Sequence, residues 1–224
     1  MLSESGKITR PELLKMLPPL ERPITVRIKF VKVGNLQYIS HLDLQRAVAR
    51  MLIRSKLPIA FSEGFNPHPK LSIVLPLSMY QEGENEALDI RLTEEVAPEE
   101  IVSRLSAVAF PGMVINKAVL LVKKSRPVKG VYVLSLKTEM SVDDILAAFE
   151  APMNVEKRSK SGITVIDIAS LAESVSALPT DIGVDLCLTL PAETNNYINP
   201  SYAAVFFGDS VKVVRCVRKE IVFS

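Results

Sequence analysis

Cysteine and long apolar runs are scarce in this sequence, and each shortage excludes a class of protein. Cys187 and Cys216 are the only cysteines among 224 residues, and their wide spacing is not that of a zinc or iron–sulfur site. We expect both to be buried and reduced, as is usual in the cytoplasm. No apolar run approaches the length of a membrane span, and no basic-then-apolar leader opens the chain. These shortages predict a soluble cytoplasmic protein that does not enter a membrane.

The sequence also lacks the short motifs that mark common active sites. It contains no phosphate loop of the GxxxxGK type, no GxGxxG turn after a strand, no HExxH and no GxSxG. Its two histidines, His41 and His68, have no neighbouring carboxylates at the spacing of a metal site. We therefore predict no metal and no cofactor. Whether the chain is an enzyme stays open at this point.

The order of apolar patterns predicts an α+β protein made of two similar halves. Apolar residues alternate with polar ones from Ile24 to Phe30, which is typical of a half-buried strand. Ser40 begins a capped helix, and Pro58 ends it. Each half reads as β-α-β-β, an extra strand and then α-β. This order predicts two tandem ferredoxin-like halves of the β-α-β-β-α-β type, each an antiparallel sheet with helices on one face.

Composition places the boundaries of these halves. Residues 1–22 contain three prolines around a short apolar stretch and are predicted to be a flexible tail. The first half covers residues 23–122 and carries the SHLD and GFNPHPK motifs, and the second half covers residues 131–224. Residues 123–130 are basic and contain a proline, so we predict that they form the linker.

Apolar runs and turn signals give finer predictions for individual elements. Strands are predicted over residues 57–61, 71–77 and 211–217, and a hairpin is predicted to turn at residues 159–162. Two helices carry apolar stripes at helical spacing, and we expect both stripes to lie on the same side of the first sheet. The stripes are Leu44, Val48 and Met51 in one helix and Ile101, Leu105 and Val108 in the next.

The loop at residues 62–70 is the first candidate for function. Pro67 and Pro69 restrict the backbone on both sides of His68, so the loop should be well ordered and the imidazole held in place. Such a histidine suits acid–base chemistry or a phosphate contact, whereas the simpler interpretation is a rigid surface turn. His41, at the start of the predicted helix, stands where a helix N-terminus attracts anions. His41 and His68 are therefore the candidate catalytic residues.

Arginines on the helix before this loop are the second candidate. Arg46, Arg50 and Arg54 recur every four residues and stack along one helix face. A charged stripe is usually only a solvated face, but the helix from Asp43 to Lys56 carries four basic side chains and one acidic one. The whole chain has a net charge of only +2, so this local excess favours a phosphate or an acidic partner. The predicted nucleic-acid or partner-binding residues are Arg46, Arg50, Arg54, Phe65, Asn66 and Lys70.

Three of these segments together resemble the bacterial radical-SAM-linked domain of unknown function. They are YISHLDLQR (residues 38–46), LPIAFSEGFNPHPKLS (57–72) and LPL (75–77). In that family the domain is often fused to, or encoded beside, a radical S-adenosylmethionine protein, near ribonuclease E/G and ribosomal proteins. The resemblance implies such a partner and a context of RNA metabolism or translation, but no catalytic residue. This chain departs from the pattern at residues 78–80, where the family usually has a glycine-containing turn.

Three functions are compatible with these observations. The first is an RNA- or tRNA-associated binding module that acts with a radical S-adenosylmethionine partner enzyme. The second is a metal-independent ribonuclease-like enzyme that uses His41 and His68 as acid and base. The third is a protein-docking domain without nucleic acid. The arginine stripe and the resemblance favour the first.

Overall fold

The computed structural model describes residues 23–123, 125–159, 162–193 and 196–224. The predicted tail at residues 1–22 lies outside the described residues. The strands are β1 (Ile24–Lys32), β2 (Leu71–Ile73), β3 (Gln81–Leu92), β4 (Met113–Leu120), β5 (Pro127–Lys137), β6 (Asn154–Ser159), β7 (Gly162–Asp167), β8 (Glu173–Thr180), β9 (Gly183–Pro191) and β10 (Lys212–Phe223). The helices are α1 (His41–Arg54), α2 (Pro98–Ser106), α3 (Val142–Ala147), α4 (Ile168–Leu171) and α5 (Ser201–Phe206).

One continuous eight-stranded sheet runs through both predicted halves. Seven of its strands follow the order β4-β1-β3-β10-β5-β9-β8, and the eighth strand, β2, pairs with β3 outside this order. All neighbours are antiparallel except β10 and β3, which pair in parallel over Cys216–Arg218 and Gln81–Gly83. The α+β class is confirmed. The expected division into two sheets is not found, because β10 pairs with β5 along one edge and with β3 along the other.

Each half has an apolar core against this sheet, and a smaller third cluster combines residues of both halves, Leu75, Ala87, Ala192 and Ile221. In the first, the predicted stripes of α1 and α2 pack in the same cluster as Ile28 and Phe30 of β1, which confirms that they share one side of the sheet. In the second, Ile145 of α3 and Ala203 of α5 pack with Leu134 of β5. Each core is therefore closed by helices that bury one face against antiparallel strands.

Several predicted boundaries need correction. The linker is shorter than residues 123–130, because β5 begins at Pro127 and pairs at once with the end of β10. Residues 57–61 form only isolated bridges, at Ile59 and Phe61, rather than a strand. The last strand does not end at residue 217 but continues to Phe223. β6 and β7 pair with each other up to Ser159 and Gly162, and residues 160–161 of the predicted turn lie outside the described residues.

β2 is also shorter than the predicted strand over residues 71–77. The chain leaves the edge of β3 after Val74, whose N–H still bonds the carbonyl of Ala87. Further along β3, at Gln81–Gly83, the pairing partner is β10, and the side chain of Arg218 donates a hydrogen bond to the carbonyl of Leu75. The strand predicted over residues 71–77 therefore forms only in its first part.

A buried ion pair lies where β10 meets β3. Arg218 of β10 is 0% exposed and Glu86 of β3 is 2% exposed, and the Arg218 Nε donates to Glu86 Oε1 at 2.8 Å. Burial acts to lower the pKa of Arg218, but Glu86 outweighs it and raises that pKa. Lys32, also buried, donates from Nζ to the carbonyl of Gln81 at 3.0 Å. The junction of the two halves is therefore held by charged side chains that are withdrawn from water.

Gly183 gives a testable prediction for the second half. It has a φ of +145°, and a Cβ placed there would meet the backbone oxygen of Leu136 and lie 2.8 Å from the backbone nitrogen of Thr138. We expect Gly183→Ala to lower the free energy of unfolding by about 2–3 kcal/mol, measured by urea denaturation.

Gly34 is the matched control for this substitution. It also has a positive φ, +64°, but open space surrounds its Cβ position. Gly34→Ala should therefore cost only about 1–2 kcal/mol, the strain of the left-handed backbone alone. Equal losses for the two variants would contradict the close packing at Gly183.

Two observations bear on the environment of the protein. Within the described part of the chain, no helix is long and apolar enough to cross a membrane. Cys216 is buried and Cys187 is half-buried, and both are free thiols. Burial raises the pKa of Cys216 to about 12, so this thiol is not a reactive thiolate near neutral pH.

Candidate functional site

The start of α1 is fixed by its sequence. The Ser40 side chain accepts a hydrogen bond from the backbone N–H of Asp43 at 3.2 Å, and its Oγ bonds the Asp43 carboxylate at 2.7 Å. Leu44, Val48 and Met51 are buried against the sheet. Because these residues fix the rotation of the helix, residues 46, 50 and 53 must point outwards.

Arg46, Arg50 and Arg54, here called the arginine face, have three different environments. Arg46 pairs with Asp43 at 3.1 Å, and both side chains are largely exposed, 70% and 58%. Arg54 donates from Nη2 to the carbonyl of Val108 at 2.8 Å. Arg50 is exposed and makes no hydrogen bond or ion pair with the described residues. Arg50 is therefore the free cation of the arginine face.

The Asp43–Arg46 pair remains open to a competing anion. Hydrogen bonds from Ser40 and then from Arg46 hold the pKa of Asp43 below its usual value, so Asp43 is ionised near neutral pH. An exposed pair of this kind contributes little to stability. A ligand phosphate can therefore take over Arg46 at small cost.

An open groove lies beside α1 and includes part of the arginine face. Its volume is about 470 Å³, and it is lined by four residues of α1 (Ala47, Arg50, Ile53 and Arg54) and by Phe110, which follows α2. The hydrogen bond from Arg54 to the carbonyl of Val108 ties the end of α1 to the segment after α2. The groove thus combines two guanidinium groups with aliphatic and aromatic surface.

The sequence did not reveal two residues near α1: Phe110, which lines the groove, and Arg104 of α2. Arg104 pairs with Glu100 at 2.5 Å and donates from Nη1 to the carbonyl of Lys56, just after α1, at 3.1 Å. Both residues lie about 50 positions after α1, and no local pattern links them to it. Only the tertiary fold brings Phe110 to the groove and Arg104 to the end of α1.

The loop at residues 62–70 projects from the edge of the sheet, and hydrogen bonds join its two ends. The backbone N–H of Ser62 bonds the carbonyl of His68 at 2.8 Å, and the His68 N–H bonds Ser62 Oγ at 2.9 Å. The N–H of Lys70 bonds the carbonyl of Ala60 at 2.7 Å. Residues 63–68 beyond these bonds are all exposed. The base of the loop is thus held by hydrogen bonds while its tip faces solvent.

The two histidines lie near opposite ends of β3. The turn before His41 is tied to the start of β3, because the Tyr80 N–H bonds the carbonyl of Gln37. The loop of His68 is tied to its end, because the Arg91 N–H bonds the carbonyl of Lys70. β3 has 12 residues and therefore spans roughly 40 Å at about 3.3 Å per residue. Two imidazoles anchored in this way do not converge on one phosphate.

Other sequence-derived candidates are placed as follows. Phe65 and Asn66 are at the exposed tip of the loop, and Lys70 is half-buried at its base. Among the described residues, no hydrogen bond or ion pair joins this loop to the arginine face. The described residues also contain no group of three His, Cys, Asp or Glu side chains that could hold a metal ion.

Comparison with known proteins gives likenesses to solved structures and a matching family. A chain in the "Crystal Structure of a Cbf5-Nop10-Gar1 Complex" is similar at 12% sequence identity with a TM-score of 0.47, and the match covers 88% of this chain and 48% of that one. The present chain thus spans about half the length of that chain. None of the curated proteins compared with the chain matches it. The family model described as "Uncharacterized protein conserved in bacteria (DUF2344)" matches residues 25–200, and the chain belongs to that bacterial family.

Proposed function

We propose that the chain is an RNA-binding module whose contact surface is the arginine face together with the groove beside it. The observation that carries the proposal is Arg50, an exposed guanidinium without a partner among the described residues, at the mouth of a groove that a second arginine lines. Planar guanidinium groups donate paired hydrogen bonds to phosphate oxygens. Two or three guanidinium groups along one helix can therefore contact successive phosphates of one RNA strand.

The apolar part of the groove favours nucleic acid over an acidic protein segment. Ile53 is exposed and Phe110 half-buried beside Arg50, so the same surface offers phosphate contacts and a flat apolar contact. Nucleotides carry both chemistries in one unit, because each joins a charged phosphate to a base with an apolar face. A docking domain for an acidic protein stays the competing function.

The proposed partner follows from the resemblance of the SHLD and GFNPHPK segments. It is a radical S-adenosylmethionine protein, and the proposed RNA includes tRNA. The proposed site of action is the cytoplasm.

The arrangement of strands supports a further part of the proposal, that each half is a ferredoxin-like unit. Neighbouring strands follow the order β4-β1-β3-β2 in the first half and β10-β5-β9-β8 in the second half. The two orders are equivalent if β6, β7 and α4 are an insertion in the second half.

The proposed function does not use His41 and His68 as a catalytic pair. Their positions near opposite ends of β3 offer no shared phosphate, and general acid–base catalysis needs both groups within hydrogen-bond reach of the reacting atoms. A ribonuclease that uses these two residues is therefore the weaker candidate.

Salt dependence of RNA binding tests the proposal. If the three arginines meet three phosphates of a single strand, the logarithm of the association constant should fall with the logarithm of salt at a slope of about −2. Raising salt from ~50 to ~200 mM should then weaken binding roughly 20-fold. Fluorescence anisotropy of a labelled RNA with the full chain measures both values.

The outcomes of this titration separate the competing functions. Absence of RNA binding at ~50 mM salt, a concentration that favours phosphate contacts, would contradict the proposal. Co-purification with a radical S-adenosylmethionine protein that survives nuclease treatment, together with absent RNA binding, would favour the docking domain.

A further inference from the structure

Phe65 has an unusual exposure for an aromatic residue on an ordered loop. It is 105% exposed and is the most exposed large apolar side chain in the described residues. Three hydrogen bonds close the base of the loop, and Pro67 and Pro69 restrict the backbone next to it. The ring is therefore presented to solvent by a segment with few alternative conformations.

The neighbours of Phe65 are polar side chains without partners. Asn66 and His68 are exposed, and their side chains make no hydrogen bond with the described residues. Gly64, with a φ of +116° and open space at its Cβ position, leaves the approach to the ring unobstructed. The tip thus offers a flat apolar face flanked by an amide and an imidazole.

We propose that an unpaired RNA base stacks on Phe65 while Asn66 hydrogen-bonds the edge of the base. The inference rests on the proposed RNA-binding function and names its substrate class, single-stranded RNA. An unstacked base has the complementary chemistry, a planar face bounded by hydrogen-bond donors and acceptors. The Asn amide pairs well with adenine, which offers one donor and one acceptor side by side.

Charge at the tip favours a base there rather than a phosphate. Glu63 is exposed next to Gly64, and its carboxylate repels the RNA backbone. The phosphates are then held by the arginine face. Seven residues separate Arg54 from the start of the loop at Ser62, a span of at most about 29 Å. One strand of RNA of modest length can reach both surfaces.

Phe65→Trp places a fluorescent reporter of base stacking at the tip of this loop. The chain contains no tryptophan, so the variant has a single indole, and stacking of a base on it quenches its fluorescence. Leu178→Trp is the matched control, because Leu178 is an exposed residue of β8, four strands from β3 in the sheet. We expect adenine-rich single-stranded RNA to quench the indole at position 65 and not the indole at position 178.

Phe65→Ala supplies the affinity measurement. Loss of one base stack should weaken binding of single-stranded RNA roughly 5- to 150-fold, with the salt slope and the affinity for duplex RNA unchanged. Phe65→Tyr should restore most of the affinity.

The outcomes distinguish this inference from the function on which it rests. Unchanged affinity in Phe65→Ala, or equal quenching at positions 65 and 178, overturns the inference while wild-type RNA binding upholds the proposed function. Absence of RNA binding by the wild-type chain overturns both. An equal loss for duplex and single-stranded RNA also overturns stacking, because a paired base does not leave its helix to meet the ring.

Discussion

Replacing Glu86 with alanine is expected to lower the free energy of unfolding by about 3–5 kcal/mol. The substitution leaves the Arg218 guanidinium buried at 0% exposure without its carboxylate, and an uncompensated charge in that position is strongly unfavourable. Arg218 also bonds the carbonyl of Leu75, so the loss extends to the segment beyond β2. Chemical denaturation of the full chain measures the change.

Glu84 is the matched control for this prediction. It lies two residues away on the same strand and pairs with Lys219 at 2.6 Å, but both side chains are about two-fifths exposed. Glu84→Ala should therefore cost less than about 1 kcal/mol. If Glu86→Ala costs no more than Glu84→Ala, Arg218 and Glu86 are not sealed from water as described.

A double substitution separates the cost of the lone charge from the value of the pair. Glu86→Leu combined with Arg218→Met removes both charges and keeps apolar volume. Replacement of a buried pair by apolar residues is often neutral or stabilising, so the double variant should recover most of the stability that Glu86→Ala loses. The pair of Arg218 and Glu86 is buried and links β10 to β3. It therefore also helps to hold the two halves together.

Local structure in this protein follows from local sequence. β1 was predicted because apolar side chains occupy one of its faces and polar ones alternate with them, which gives Ile24, Val26, Ile28 and Phe30 a period of two. The caps of two helices were equally visible: Ser40 caps α1, and Ser141 forms a full capping box with Asp144 at the start of α3. These signals are set by neighbouring residues and do not depend on the rest of the fold.

The joining of the halves could not be predicted in the same way. It depends on Arg218 and Glu86, which are 132 residues apart, and an arginine in a strand pattern is ordinarily assigned to a solvated face. The early end of β2 at Ile73 has no local signal either, because the apolar pattern continues to Leu77. Long-range pairing leaves no periodic signal in the sequence.

In the candidate site, too, the features set by neighbouring residues were predictable and those set by tertiary packing were not. The spacing of Arg46, Arg50 and Arg54 predicted a shared helix face, since residues four apart are neighbours on a helix. Which arginine stays free was not predictable: Arg54 is engaged by Val108 and Arg46 by Asp43. Phe110 reaches the groove, and Arg104 the end of α1, only through the tertiary fold.

Reversing the charge of two residues, Arg46→Glu with Arg50→Glu, is expected to weaken RNA binding by at least about 100-fold. Each hydrogen bond to a charged group contributes about 1.5–3 kcal/mol, so loss of two such contacts accounts for this factor before any repulsion is counted. Both side chains are exposed, and the fold should remain intact apart from loss of the weak Asp43 pair. The thermal unfolding midpoint should therefore change little.

The salt slope provides the second readout of the same variant. Two phosphate contacts fewer on a single strand should make the slope less steep by about 1.4. Arg158→Glu is the control, because Arg158 is 79% exposed and paired only loosely, at 3.8 Å, with Glu156. It lies in the hairpin of β6 and β7, outside the main sheet. An equal loss of affinity in the control would mean that the chain responds to net charge alone, and the arginine face would then not be the RNA-binding surface.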